Sequence, residues 1–336
     1  MRSQCNARYF LIRDKCPICM SNRWDVLYSC PLARFPVRGF IESHYSHQGH
    51  IDWERLEGTD YVICECSECG LLYQKHVPNG DFLNTLYNEM IGPTFLARLE
   101  STRLTVDNFE EIAGELSLLI RAIGKHPTEI RFLDYGMGYG RWARIAAAIG
   151  AQVFCTEISP DKIAAARKLG IEPIQDESLS EMRFDIIHTE QVFEHLTDPR
   201  SSFQKLASAL SRNGIMKIAV PSPGRIRRLL KTHGMIDRSP QEGTFHATSG
   251  CNLDRFQDYV SIMPLEHLNA YSSRTIVVLA GINGMRLVGR VRRQSVAVCT
   301  ANVSLLMRSL YRLIKVSLRP VLRRNSGYYL LTSSTG

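Results

Sequence analysis

The sequence predicts an α/β protein, a parallel sheet with helices between its strands, preceded by a metal-binding segment rich in cysteine. Three observations carry this. Between Ile130 and Pro223 short apolar runs alternate with helix-like stretches, the rhythm of a parallel sheet with crossover helices. A glycine-rich turn, Gly136 to Gly140, follows the first of those runs. Two Cys-x-x-Cys pairs, Cys16/Cys19 and Cys66/Cys69, stand near the start of the chain.

The elements follow in order. Residues 1–75 hold the cysteine pairs, many aromatics and the stretch HYSHQGH, with little sustained helical period. Residues 76–125 are expected to form a helical connector, because NFEEIAGELSLLIRAIG places apolar residues at three- and four-residue spacing. The α/β domain, 126–336, opens with the strand in IRFLDYGMGYG and the helix WARIAAAIG. AQVFCTEIS is a second strand and PDKIAAARKLG a second helix, with Pro160 near its start. IEPI is a short third strand and FDIIHTE a fourth; SSFQKLASALSRNG is a helix and GIMKIAVPSP a fifth strand ended by proline. An insertion at 224–268 interrupts this rhythm and can serve as a substrate-facing lid or an irregular surface segment. RTIVVLAGING reads as a late helix, with strands in MRLVGRV and in either QSVAVCTA or GYYLLTS.

Composition bounds the function. With 336 residues, 44% hydrophobic and 22% charged, the chain can bury a sizeable core, which argues against bulk disorder. No apolar run approaches the roughly 20 residues that cross a bilayer, and MRSQCNARYFLIRDKC lacks a signal-peptide apolar core. A cytoplasmic location is therefore expected, where ten cysteines do not form a disulfide framework. Cys155, Cys251 and Cys299 are scattered singly and read as small buried apolar residues. The formal charge of +8 belongs to the C-terminal part: Tyr271–Gly336 holds eleven Arg and Lys residues and no Asp or Glu.

Asp134, Gly136, Gly138 and Gly140 lie at the carboxyl end of a strand, the edge of an open α/β sheet where ligands bind. Glycine lets the backbone turn tightly and approach a ligand. A nucleotide-containing cofactor is expected, and the glycines alone leave a dinucleotide open. Glu157 closes the next strand, where a carboxylate can accept hydrogen bonds from ribose hydroxyls.

FLDYGMGYGRW resembles the first motif of class I S-adenosylmethionine-dependent methyltransferases, and FDIIHTEQVFEHLTDP resembles the fourth motif of the subgroup that contains ubiquinone-biosynthesis and sugar methyltransferases. PLEHLNAYSSRTIVVLAGINGMRLV is similar to a later segment of that subgroup, so the resemblance runs from Ile130 to Val288. It implies a Rossmann-like methyltransferase sheet and S-adenosylmethionine as cofactor. It also implies that Glu157 meets the ribose, that Asp176 lies near the adenine and that Gln191 belongs to the cofactor site. Methyl transfer needs alignment of nucleophile, methyl and sulfur, and a hydroxyl or carbon acid also needs a base. His188, Glu190, Glu194, His195 and His267 are the proton-transfer candidates, His195 and Glu194 chiefly through the resemblance.

Cys16, Cys19, Cys66 and Cys69 can present four thiolates to one tetrahedral zinc ion, across an intervening loop of 46 residues. Such an ion is structural, since four thiolates leave no open position for substrate. GLLY after Cys69 resembles the end of the zinc-binding domain ahead of sugar C-methyltransferases. Cys64 is a spare thiol nearby and Cys5 and Cys30 offer an alternative ligand set, while His44, His47 and His50 can bind metal but read rather as an exposed loop that can reach towards substrate.

Arg308, Arg312, Lys315, Arg319 and Arg323 share one face of a basic amphipathic helix at 303–324, with Leu306, Leu310, Leu313 and Ile314 opposite. That face is expected to be solvated. The sharper readings are peripheral association with an anionic membrane at its inner surface, or attraction of a phosphate-bearing acceptor. Nucleic acid is not an expected partner, because no recognition module is apparent. The acceptor class implied is a small molecule such as a sugar nucleotide or glycan intermediate, methylated at oxygen or carbon. A lipid or natural-product O-methyltransferase and a zinc-containing interaction protein with a degenerate fold are the alternatives.

Overall fold

A computed structural model describes residues 3–46, 48–92, 97–98, 100–233, 261–289 and 326–334. The basic helix at 303–324, the QSVAVCTA stretch, His47, and residues 234–260 of the insertion lie outside the described residues. Among the described residues no helix is long and apolar enough to cross a membrane. The chain forms two compact units: one of Met1–Leu99, Phe193–Arg200 and Val220–Leu279, the other of Glu100–Val192, Ser201–Ala219 and Ala280–Gly336. Each unit therefore draws on separate stretches of sequence, and the cysteine-rich stretch shares its unit with chain from beyond residue 190.

The first unit begins with β1 (Phe10–Ile12), β2 (Trp24–Pro31), helix α1 (Val37–Tyr45), the turn α2 (Trp53–Leu56), and β3 (Asp60–Cys66), β4 (Leu72–Gln74) and β5 (His76–Pro78). Helix α3 (Gly80–Thr85) continues into a π-helical turn, Leu86–Met90. Strands β2, β3 and β4 form an antiparallel sheet, and β1 pairs with β5. Phe10, Phe40, Ile41, Tyr45, Ile63 and Phe82 are among the residues of its buried core. The region expected as a connector is thus a short strand, a short helix and a π turn, before the long helix begins.

That helix, α4 (Val106–Ile123), opens the second unit. Thr105 caps its start, Oγ1 accepting from the Asn108 N–H at 3.2 Å, and Gly124 ends it at φ 76°. Its buried residues Ile112, Leu116, Leu119 and Ile120 recur on one face and join Ile130, Phe132, Trp142 and Ala146 in one core. Next come β6 (Arg131–Tyr135), α5 (Arg141–Ile149), β7 (Gln152–Thr156), α6 (Pro160–Lys168), β8 (Glu172–Pro173), β9 (Phe184–Glu190), α7 (Pro199–Ala209) and β10 (Leu210–Pro221). The helix expected to run to Gly214 ends at Ala209, because the strand begins at Leu210 and pairs with Phe184 before an irregularity.

Helix α8 (Gly224–His233) and the two-residue β11 (Asn269–Ala270) lie in the first unit; α9 (Ser273–Ile282), β12 (Met285–Gly289) and β13 (Ser326–Ser333) follow. Sheet order is β12-β13-β10-β9-β6-β7-β8, with β10, β9, β6, β7 and β8 parallel. Of the two late-strand alternatives, GYYLLTS forms β13, antiparallel to β12. β11 pairs with β4.

Candidate functional site

The glycine turn is built at the carboxyl end of β6 and pinned to the end of β7. Gly136 N–H donates to Thr156 Oγ1 at 3.0 Å, Met137 N–H to the Thr156 carbonyl at 3.1 Å, and Gly138 N–H to Glu157 Oε2 at 2.9 Å. Gly136, Gly138 and Gly140 all take positive φ, at 69°, 60° and 72°. A Cβ on Gly136 would stand 2.6 Å from Val192 Cγ2, whereas one on Gly138 would meet nothing within 4 Å. The second glycine therefore faces open space, as a backbone that must approach a ligand does. Glu157 fixes the start of α6 as well, Oε1 accepting from the N–H groups of Ile158 (2.8 Å) and Ser159 (3.0 Å).

Asp134 is 3% exposed. Its Oδ2 accepts from the Ala143 N–H at 3.2 Å, and Oδ1 lies 2.8 Å from His188 Nδ1. It joins β6, the first turn of α5 and β9, so that it holds the turn in place. His188 is closed in, 2% exposed, under Trp142 at a ring separation of 4.2 Å. Its Nε2 is 3.6 Å from Glu190 Oε2, which is also 3.6 Å from the fully buried Lys217 Nζ. Lys217 pairs with Glu115 at 3.0 Å and sits 3.4 Å over the Trp142 ring. Burial works to raise the Glu190 carboxyl, but the His188 hydrogen bond and the charges of Lys217, His188 and Arg141 outweigh it and hold it well below its ordinary range. His188 and Glu190, grouped by sequence with the proton-transfer candidates, thus stand in one polar chain that reaches the glycine turn through Asp134. Sequence reading passed over Trp142, Lys217 and Glu115, which complete it.

Gln191 ends β9 in the left-handed region, φ 58°, its N–H donating to the Ala219 carbonyl at 3.0 Å. A non-glycine residue rarely adopts this backbone. Asp176 starts a 3₁₀ turn after β8 and pairs with Lys205.

In the first unit, Glu194, His195 and His267 come together, each offering a ligand-type atom within 4.8 Å of the others. The two imidazoles meet edge to face at 4.8 Å. Tyr87, from the π turn, places its hydroxyl 3.3 Å from His195 Nδ1. The His195 ring also meets the Glu266 backbone, and a hydroxyl such as that of Tyr87 can donate to or accept from a ring nitrogen. Burial lowers the His195 pKa, against the opposing pull of the Glu266 charge. Glu266 accepts from Tyr45 Oη at 2.8 Å and lies 3.4 Å from His44 Nε2. Burial works to raise Glu266, yet the His44 hydrogen bond and the surrounding imidazoles bring it down. His44, expected in an exposed loop, is therefore part of this cluster, while His50 is exposed.

The four knuckle cysteines also converge, with their Sγ atoms within 4.8 Å of one another and Cys16–Cys69 and Cys19–Cys66 at 3.5 Å. Tetrahedral zinc with bonds of about 2.3 Å needs sulfurs ~3.8 Å apart. The two knuckles repeat one geometry. Cys16 N–H donates to the Ser21 carbonyl and Met20 N–H to the Cys16 carbonyl; Cys66 N–H donates to Leu71 and Gly70 N–H to Cys66. Met20 and Gly70 share positive φ, 60° and 70°. The Cys16 thiol is pulled down to about 6 by its hydrogen bond with Cys69. The residues present fit a metal site of four thiolates.

A parallel sheet with a glycine turn and a carboxylate at the carboxyl ends of adjacent strands is the architecture of a Rossmann-like methyltransferase domain. Residues 107–288 match the methyltransferase-domain family, and the chain belongs to it. The chain is 31% identical over 149 residues to a ubiquinone biosynthesis O-methyltransferase of Parvibaculum lavamentivorans, covering 41% of this chain and 56% of that one. It is similar to PKMT2 of Rickettsia typhi in complex with AdoHcy, with 16% identity, a TM-score of 0.42, and 66% and 53% of the two chains covered. It is also similar to a 1,6-didemethyltoxoflavin-N1-methyltransferase of Burkholderia thailandensis, with 13% identity, a TM-score of 0.42, and 82% and 96% covered. The chain spans little more than half the length of the first two.

Proposed function

We propose that this enzyme transfers the methyl group of S-adenosylmethionine to a hydroxyl of a small-molecule acceptor, with a sugar nucleotide or glycan intermediate as the leading class. His195 takes the hydroxyl proton, and a structural zinc is held by Cys16, Cys19, Cys66 and Cys69. The observation that supports this reading is His195 Nδ1, already 3.3 Å from a hydroxyl, that of Tyr87. A group there meets the distance a general base needs, through a small adjustment. S-adenosylmethionine, when bound, supplies an electrophilic methyl whose sulfur leaves with the bonding pair. The acceptor oxygen forms the new bond as its proton passes to His195. Glu157 and the Gly136–Gly140 turn hold the cofactor.

A second acceptor class has support of its own. The relative from Parvibaculum is named for O-methylation in ubiquinone biosynthesis, which favours a phenolic lipid or natural product. Labelled S-adenosylmethionine incubated with separated nucleotide-sugar and lipid-extract fractions distinguishes the two by where label appears. His195→Gln is expected to abolish that labelling while leaving cofactor affinity intact. Label retained at the wild-type rate in His195→Gln would remove His195 from the chemistry, and failure of well-folded protein to bind S-adenosylmethionine would sink the whole reading.

A further inference from the structure

The turn that carries Glu194 and His195 is gripped by a side chain from the far front of the chain. Arg13 is 9% exposed. Its Nη2 donates to the carbonyls of Leu196 at 3.0 Å and Thr197 at 2.5 Å, and its Nη1 to Asn269 Oδ1 at 2.9 Å and the Gln74 carbonyl at 3.5 Å. Every one of these acceptors is a neutral carbonyl. Asn269 in turn donates through Nδ2 to the carbonyls of Phe193 (3.2 Å) and Leu196 (2.8 Å). Tyr271 Oη holds the Phe193 carbonyl at 2.9 Å, and the Leu268 N–H holds that of Glu194 at 2.6 Å. The carbonyls of Phe193, Glu194, Leu196 and Thr197 are thus all fixed, and His195 sits in the middle. Gln74, next to the Arg13 contact, donates to the His267 carbonyl at 3.0 Å.

Burying a guanidinium carries a large desolvation cost, even after the surroundings relax. Packing alone is served as well by a methionine of similar length. What a guanidinium adds is a rigid, planar fork of donors, and here two prongs of that fork reach two different parts of the same assembly: the 193–197 turn and Asn269.

We infer that Arg13 is a positioning residue for the methyl-transfer reaction, its guanidinium setting the orientation of the Glu194–His195 turn. The inference rests on the proposed role of His195 for its kinetic consequence but not for its geometric one. Arg13 stands three residues before Cys16 and donates its own N–H to the Lys75 carbonyl at 2.8 Å, so the cysteine-rich segment contributes directly to the arrangement of the histidine cluster.

The test uses the full, metal-loaded chain and three variants: Arg13→Lys, Arg13→Met to preserve the stem's packing, and Arg13→Ala. In protein labelled at histidine nitrogens, the His195 ring signals, assigned with His195→Gln, are expected to shift in all three. S-adenosylmethionine affinity by calorimetry should stay within about twofold, because that site lies in the other unit. Methyl transfer to the active extract fraction is expected to fall about 100-fold, the scale of a roughly 1 Å misplacement. Low-millimolar guanidinium chloride should restore part of the Arg13→Ala rate and the wild-type His195 signal, with no effect on Arg13→Met. A purely structural residue would not give that selective rescue. His195 signals unchanged in Arg13→Met, or rate and cofactor affinity falling together, would overturn the inference. If Arg13→Ala does not fold, Arg13→Lys decides by the same signals. If His195→Gln retains full rate while the Arg13 variants still shift His195, the proton-transfer reading fails and the positioning contact stands.

Discussion

The glycine turn and the histidine cluster are each held still, in opposite ways. The turn is made almost wholly of backbone. Its N–H groups are fixed by Thr156 and Glu157, about twenty residues on, and its shape by three glycines in the left-handed region. The cluster is made of side chains from Arg13, His44, Tyr87, Glu194, His195, Glu266 and His267, brought together across the length of the chain. A backbone site is local in sequence and sensitive to single methyl groups. A side-chain site is spread out and depends on the integrity of the unit around it.

The largest expected effect follows from that dependence. Zinc contributes about 10–16 kcal/mol to the folding of small zinc peptides, and the knuckles here carry backbone contacts into the rest of their unit. Thr275 Oγ1 donates to the Cys69 carbonyl at 2.9 Å, and Arg227 to that of Gly70 at 2.9 Å. Cys16→Ser combined with Cys66→Ser is expected to lose bound metal and the thermal transition of the first unit, with turnover falling below detection. Cofactor binding should survive. Metal content, melting and calorimetry check this together; wild-type metal content in the double variant would show that the cysteines are plain thiols.

His195→Gln comes next. It removes the imidazole but keeps a planar polar group, so a fall in turnover of about 10²–10⁴-fold is expected with cofactor affinity unchanged. A loss shared equally by affinity and rate would mean that the two sites are not separable as described.

These expectations also show which parts of the molecule its sequence discloses. The turn was legible because Asp134, Gly136, Gly138, Gly140 and Glu157 sit in a fixed strand–turn–helix–strand context. The cysteine pairs were legible because a two-residue spacing is itself the geometry of a knuckle. Glu194 and His195 could be named through their motif, but what holds them could not: Arg13 is 183 residues from Leu196, and no spacing or period links them. Lys217 read as one polar residue in an apolar strand, and only the fold sets it on Glu115 and over Trp142. Tyr87 was hidden because the region expected as a helical connector contains a π turn, which needs one more residue per hydrogen-bonded loop than the apolar spacing suggests.

A single methyl group probes the backbone side of the comparison. In Gly136→Ala the new Cβ meets Val192 at 2.6 Å and the left-handed backbone adds about 1–2 kcal/mol. A Cβ on Gly138 meets no protein atom within 4 Å, so within the chain itself Gly138→Ala carries only the backbone cost. Gly136→Ala is expected to weaken S-adenosylmethionine binding by more than about tenfold, and Val192→Ala in the same chain to recover part of the loss. If Val192→Ala recovers nothing, the clash is not what the glycine avoids.

The smallest effect separates the two sites most cleanly, because it changes no residue. Burial lowers the His195 pKa from its ordinary value of 6.5. The neutral imidazole is the working form, so the rate is fully present above that pKa and declines as pH falls through it. The acid limb of kcat/KM should therefore bend below pH 6.5 and approach about tenfold per unit only beneath the bend. Between pH 7.5 and 6.5 the change is expected to be slight. The Gly136–Gly140 turn carries no imidazole, so cofactor affinity should change less than the rate across this range. A limb centred above pH 7, or one that persists unchanged in His195→Gln, would assign the working proton to another group.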